Sequence, residues 1–418
     1  MGSHDSPFVE TALPNGLRIV MEVMPSVRSA AAGFLVNAGS RDETPELAGA
    51  SHFLEHMCFK GTPSRDWRAI NIDFDELGSS YNAFTTKERT FYYGWVPADR
   101  IDAQIELLAD MMRSVLPPDE FDTEKGVILE EIAMSKDSIE HLAWDLIHEH
   151  LYPGHSLSWS ALGTEASIAA LTRDQMHAYF QQRYSPLNMV LLVTGRIEPD
   201  RIVETASRLC GDWPAIEPTG MREAPVMHGG TVVEQAGRFN QQAVGWVCAA
   251  PPAGHPDAEA ARALASVLGG SNSRFYWNII QAGLAPRAGV CWLGYSDFGM
   301  MMLDGLCLPE NAEAFAEAIR REAGEISRQG ASETEIRRVK NRRRTSLAVE
   351  AEAAYHRLMQ MAEDLCDYDR PRTVAERLAE VEAVTVERVA TYLTEWPIVE
   401  EGLFLSLGPR KWPEAQIP

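Results

Sequence analysis

At 418 residues the chain is longer than one ordinary core and suits two domains of about 200 residues each. An apolar content of 45% with 23% charged residues is that of a globular protein, and no apolar run reaches the length of about 18 residues that a membrane span requires. The net charge of −22 argues against nucleic acid as a partner, because its phosphates would be repelled.

The opening Met1-Gly2-Ser3-His4 carries no apolar export core, so the expected location is the cytoplasm, with a removed export signal left open. Leu13-Pro14-Asn15-Gly16 is a turn, and its Asn-Gly pair favours a tight hairpin between strands near residues 8–12 and 17–24. Residues 29–38 read as the next strand. They lead through a loop at Gly39 into Gly49-Ala50-Ser51-His52-Phe53-Leu54-Glu55-His56-Met57-Cys58-Phe59. Nothing between Ala50 and Phe59 breaks a helix. On a helix His52 and His56 lie four apart on one face, where two imidazoles can grip one metal ion. Glu55 stands beside them, placed to take the proton of an attacking water. The order H-x-x-E-H reverses the commoner H-E-x-x-H, and as a five-residue pattern it needs a third ligand to carry weight.

A helix follows at 67–77, then strands at 81–84 and 90–96. Residues 100–116 form an amphipathic helix stopped by Pro117-Pro118, and 119–151 carry a further helix and its continuation. Within it Glu124 and Glu131 are seven apart and share a face, beside an apolar stripe of Val127, Ile128 and Ile132. Carboxylates on a buried-looking face are costly unless compensated, and a zinc ion would compensate them. Residues 172–183 are another helix, with Thr172 as N-cap, and 188–197 a buried strand. Strands and helices in this succession predict an α+β fold: a mixed, mostly antiparallel sheet with helices packed on one face. Residues 213–230, with three prolines and three glycines and no periodicity, read as a linker between domains at 1–212 and 231–418. The second half echoes the first. Residues 242–249 match the strand before the histidine helix, and 257–268 stand where that helix stood, but Ala-rich and without the motif. A duplicated fold is expected, its second copy lacking the metal site.

Other constellations carry less. Six scattered cysteines without a C-x-x-C pair read as buried free thiols. His148, His150 and His155 read as surface histidines, since residues two apart on a helix point to nearly opposite sides. The glycine-rich 269–274 follows a helix and lacks a phosphate-cradling lysine, and the basic run 337–344 reads as a solvated helix face. No G-x-S-x-G is present, so nucleophilic serine chemistry has no support.

His52 to His56, followed by Glu124 and Glu131, resembles the pitrilysin and mitochondrial processing peptidase family of zinc peptidases, in its branch of two-domain subunits. Asn37-Ala38-Gly39-Ser40-Arg41-Asp42-Glu43, Tyr81-Asn82-Ala83-Phe84-Thr85, Leu162-Gly163-Thr164-Glu165 and Tyr184-Ser185-Pro186-Leu187-Asn188-Met189-Val190 agree with that resemblance. It is strong over about the first 200 residues and an outline beyond them. The resemblance implies one Zn2+ per chain held by His52, His56 and Glu131, Glu55 as general base, and Glu124 orienting a ligand. It also implies that Asn82, Ala83 and Phe84 form a sheet edge pairing with an extended peptide substrate inside a clam-like chamber. The acidic surface is read as a solubility feature ahead of a preference for basic substrates. Active members supply an Arg and Tyr pair from the second domain. Here Pro286 stands at the tyrosine place and Ile279 at the arginine place, which favours a dimer, and a heterodimer with a subunit carrying that pair over a homodimer. The alternatives are a non-catalytic subunit like the core proteins of the respiratory complex, which share the fold, and a zinc-dependent peptide binder.

Overall fold

The computed structural model describes residues 8–220, 222–399 and 402–412; Met1-Gly2-Ser3-His4 lie outside them. The strands are β1 (Phe8–Ala12), β2 (Arg18–Val23), β3 (Ser29–Val36), β4 (Ser80–Thr85), β5 (Thr90–Pro97) and β6 (Met189–Gly195), then β7 (Gly230–Gln235), β8 (Gln242–Ala250), β9 (Arg287–Gly294), β10 (Gly299–Cys307) and β11 (Leu403–Gly408). The helices of the first part are α1 (Ala50–Met57), α2 (Trp67–Leu77), α3 (Ile101–Met111), α4 (Pro118–Asp137), α5 (Ile139–Leu151), α6 (Glu165–Ala170), α7 (Arg173–Arg183) and α8 (Pro199–Cys210). Those that follow are α9 (Ala258–Gly269), α10 (Ala312–Gln329), α11 (Glu333–Glu350), α12 (Ala354–Tyr368), α13 (Val374–Glu382) and α14 (Val386–Glu395).

Two mixed sheets organise these elements. The first has the order β1-β2-β6-β3-β5-β4 and the second β7-β11-β8-β10-β9. In each, one pair is parallel, β2 with β6 and β11 with β7, and the rest are antiparallel. Removing β1 superimposes the two orders strand for strand, and α1 and α9 then occupy the same place in the chain, each after the central strand of its sheet, β3 or β8, and before the edge strand, β4 or β9. The topology is a duplication.

The inner strands β2, β6, β3 and β5 of the first sheet and β11, β8 and β10 of the second are buried on both sides, so each sheet needs cover on both faces. On one face of the first sheet α1, α2, α3, α4, α7 and α8 enclose a core around Phe34, Phe53, Phe74 and Tyr92. The other face, with Val20, Leu35, Phe91 and Leu192, is closed by α12 through Ala354, Leu358 and Met361. A buried ion pair fastens that helix, the Arg357 Nε donating to Glu22 Oε2 at 2.8 Å. The second sheet repeats the plan, with α9, α10 and α14 on one face and α5 on the other. The expectation of helices on one face therefore describes the main layer of each sheet, and a further helix covers the reverse side. This is also why the compact units are not consecutive in sequence. Residues 8–133, 159–223 and 348–373 form the first, and 134–158, 224–347 and 374–412 the second. Set beside sequence blocks of 1–212 and 231–418, the segments bearing α5 and α12 change company.

Two helix expectations are corrected. The helix expected over 100–116 ends at Met111, because the residues beyond it bond to the segment after α1. Ser114 Oγ donates to the carbonyls of Met57 and Gly61, and the Val115 amide donates to Gly61. The helix expected to continue through 119–151 breaks at Ser138, whose backbone is extended and whose side chain accepts the His141 amide as the N-cap of α5. His148 is not at the surface. It lies on the buried stripe of α5 with Ile147 and Leu151, its Nδ1 2.9 Å from the Trp144 carbonyl. Cys58, Cys210, Cys248 and Cys307 are buried free thiols, whereas Cys291 and Cys366 are exposed.

Candidate metal centre

The helix carrying H-x-x-E-H is short, and its start is held by side chains from elsewhere. Glu43, buried, accepts the Gly49 amide at 2.7 Å and the Ser51 amide at 2.6 Å, and so caps the first turn of α1. Burial pushes the Glu43 carboxyl up to about 8, against those backbone donors, which favour its charged form. Ser51 Oγ lies 2.8 Å from the Tyr179 hydroxyl on α7. Gly49 has φ +92°, and a Cβ there would stand 2.6 Å from the Leu162 carbonyl, so the helix start and the 162–163 turn are pressed together. Phe53, Leu54 and Met57 face the core, which leaves His52, Glu55 and His56 on the opposite, half-buried side.

Phe53 stacks on Phe121 with ring centroids 4.9 Å apart, fixing α1 against α4. On α4 the residues Phe121, Glu124, Ile128 and Ile132 are buried, and Glu131 shares their side at partial exposure; Val127 is exposed, outside the stripe assigned to it. The outcome is a convergence. Glu131 Oε2 lies 3.9 Å from His52 Nε2 and 3.9 Å from His56 Nε2, and one ligand atom from each of the three residues falls within 4.8 Å of the others. No other such group occurs among the described residues. Separations of 3.9 Å suit zinc, whose bonds to imidazole nitrogen and carboxylate oxygen are about 2.0–2.2 Å, so one ion can reach both partners of each pair. The donor set fits the metal, and Glu131 has no hydrogen-bond donor of its own among the described residues.

The surroundings tune these groups. Glu124, 4% exposed at its side chain, accepts from His56 Nδ1 at 2.8 Å and from Lys60 Nζ at 2.6 Å. Burial alone would raise its carboxyl, but the two donors outweigh burial and hold it below the ordinary range. Burial disfavours the His56 cation, yet the Glu124 hydrogen bond and the charges of Glu131, Glu124 and Glu55 prevail and raise its pKa. His52, desolvated and beside His56, is pushed down to about 4, the neutral form a metal ligand needs. Its Nδ1 is buried without a hydrogen-bond partner among the described residues. Glu55 is raised by burial and by Glu131, opposed by Thr85 Oγ1, which donates to its Oε2 at 2.6 Å, and by His56.

Thr85 belongs to β4, which pairs with β5 alone and is a free edge of the first sheet. Thr86 donates its amide to Arg89 across the hairpin, so by alternation 84, 82 and 80 make the inward bonds and the backbone groups of 83 and 85 face the open side. The Ala83 amide is indeed met by Asn82 Oδ1 at 2.9 Å rather than by β5. Asn82 is exposed, Phe84 half-buried and Ala83 buried on the core side.

Lys60, Thr85 and Glu43 were missed as site residues. Lys60 follows His56 by one helical turn, and Thr85 follows Ala83 by the two-residue period of a strand, so each had a spacing signal. Glu43 had none beyond its place in the loop before α1.

A duplicated α+β fold with an H-x-x-E-H helix and a remote carboxylate on a second helix defines the class of inverted-motif zinc peptidases. The sequence matches the family described as Insulinase (Peptidase family M16) over residues 18–165 and the Peptidase M16 inactive domain over residues 170–343. It is 32% identical to an uncharacterized zinc protease of Bacillus subtilis over 90% of this chain and 92% of that one. With the beta subunit of the mitochondrial-processing peptidase of Rattus norvegicus it shares 26% identity over 96% of this chain and 84% of the relative. The crystal structure of a protease from Helicobacter pylori has the same fold, with a TM-score of 0.90 at 20% identity, covering 96% of this chain and 99% of that one. The chain belongs to peptidase family M16. Among its described residues no helix is long and apolar enough to cross a membrane.

Proposed function

We propose that this chain is a zinc metallo-endopeptidase, with His52, His56 and Glu131 as ligands of one zinc ion, Glu55 as general base and Glu124 orienting His56. The observation that carries the reading is the convergence of His52, His56 and Glu131 within 4.8 Å, with Glu55 on the same face of α1. Zinc held there supplies Lewis acidity to a water and to the scissile carbonyl. Thr85 occupies one oxygen of Glu55, so the other is available to take the proton of the attacking water and pass it to the leaving amine. Peptide or unfolded polypeptide binds as an added strand along β4, where the Ala83 amide and its neighbours offer unpaired backbone groups once Asn82 Oδ1 gives way.

A second reading concerns assembly and rests on Pro286. Proline has neither a hydroxyl nor a backbone donor to offer a substrate carbonyl, and this one is exposed at the entry to β9. A heterodimer whose other subunit supplies the missing donors fits that substitution; full activity in a pure homodimer removes it.

The deciding experiment is Glu55→Gln. Zinc content should stay at one per chain while turnover of a peptide library falls by about 100- to 10,000-fold. Cleavage at the parent rate overturns the mechanism, and zinc retention without products in the parent protein itself identifies a peptide binder or a core-protein-like subunit instead.

A further inference from the structure

The basic run 337–344 forms part of α11 and does more than face solvent. Two cavities, of about 200 and 180 Å³, open between α9 and α11 and share Ser266, Val339 and Arg342, so they are one continuous groove. Its floor is apolar at Ile336, Val339, Val381 and Val384. Its walls are cationic, with Arg343 and Lys340 at one end, Arg338 at the other and Arg342 between.

What sets these four cations apart is their lack of carboxylates. Lys340 Nζ donates to the Glu382 carbonyl at 2.8 Å and Arg342 to the Ser271 carbonyl at 2.6 Å, neither of which neutralises charge. Arg343 Nε is buried with no acceptor, and Arg338 forms no hydrogen bond or ion pair, among the described residues. The two acids that line the groove are engaged elsewhere: Glu259 with Arg262 at 2.9 Å, and Glu335 with Arg274 at 2.8 Å. In a chain with 60 acidic and 38 basic residues, four cations left uncompensated around one concavity are not the product of composition. Like charges lining one concavity repel, and the arrangement becomes favourable when an anion enters.

We propose that the groove between α9 and α11 binds a small phosphomonoester, its phosphate seated among Arg342, Arg343 and Lys340 and its compact apolar group lying over Val339, Val381 and Val384. Guanidinium groups match phosphate oxygens with paired N–H donors, and a dianion answers several cations where a carboxylate answers one. The cavity volumes suit a ligand of about one ring. This site stands on the second compact unit and does not depend on the metal centre.

Calorimetric titration of the full chain with phenyl phosphate, inorganic phosphate and benzoate, in about 150 mM salt to screen diffuse attraction, tests it. Phenyl phosphate should bind at least tenfold more tightly than either of the others. Arg343→Gln and Arg342→Gln should each weaken it by at least tenfold, with melting temperatures near that of the parent. Arg337→Gln, exposed on the same helix but outside the groove, should change it by less than twofold. Equal binding of benzoate, equal weakening by Arg337→Gln, or binding lost on chelating zinc would each overturn the proposal, the last by locating the phosphate at the metal. Should Arg343→Gln fail to fold, Arg342→Gln and Lys340→Gln read the same outcome.

Discussion

The most informative perturbation is at Glu124, which touches no substrate and should still govern the metal. Its two oxygens are both committed, Oε1 to His56 Nδ1 at 2.8 Å and Oε2 to Lys60 Nζ at 2.6 Å. An amide at this position presents one oxygen and one NH2, so one of the two donors must be abandoned. Lys60, 28% exposed, can turn to water, while His56 cannot leave the helix face. Glu124→Gln therefore keeps an acceptor on His56 but loses its charge, reducing a charge-assisted bond of about 1.5–3 kcal/mol to a neutral one of about 0.5–1.5 kcal/mol. The difference of about 1–1.5 kcal/mol corresponds to about five- to tenfold weaker zinc binding. Glu124→Ala removes the acceptor altogether, and the loss should reach about 10- to 100-fold. Competition of each variant against a fluorescent zinc chelator at fixed pH measures the series. The order parent, Gln, Ala is the prediction; Gln and Ala variants both within twofold of the parent would refute the orienting role.

Three further outcomes follow from the same geometry. Ala83→Pro deletes an amide that faces the open edge of β4 and not β5, so the fold should survive while KM for peptides rises by about tenfold or more; unchanged KM rules out strand addition at this edge. Thr85→Val removes the hydroxyl that favours the charged form of Glu55, whose pKa is already raised by burial. A base works only when ionised, so activity is lost as pH falls through that pKa, and the acid limb of kcat/KM should move to higher pH; a stationary limb refutes the contact. Chelation should abolish turnover and lower the melting temperature, by a free energy of about 3–4 kcal/mol at zinc concentrations of 100–1,000 times Kd, and added zinc should restore both. Turnover that persists in the metal-free protein would exclude zinc from the chemistry.

Legibility in the sequence followed the range of the interactions. The spacing of His52, Glu55 and His56 on one helix, and of Glu124 and Glu131 on another, is a local consequence of helical periodicity, so both could be read before any coordinates. Their meeting could not, because it depends on Phe53 stacking with Phe121 and on the cap that Glu43 gives α1 from a loop. Helix ends were set where a side chain ties the chain to something other than the next turn: Ser114 bonds the segment after α1, and Ser138 caps the start of α5. The exchange of α5 and α12 between the units left no local trace, since an amphipathic helix reads the same whichever sheet it covers.

Among the described residues no metal-binding group is brought together in the second copy, and burial bears on this as much as the missing histidines do. Helix α1 buries Phe53, Leu54 and Met57 and leaves a half-open face for its imidazoles. Helix α9, in the same place in the duplicated topology, buries Ala258, Ala260, Ala261, Ala263, Leu264, Ala265, Val267 and Leu268. Imidazoles introduced on most of its surface would enter a dry core, where an unpaired polar group costs several kcal/mol, about 2–7 by transfer measurements. What remains polar on α9 is Glu259, Arg262 and Ser266, spaced along one stripe, and that stripe lines the basic groove. The same element has thus kept one accessible face in both copies. In the first that face bears His52 and His56 of the candidate metal centre; in the second it lines the groove proposed to bind an anion.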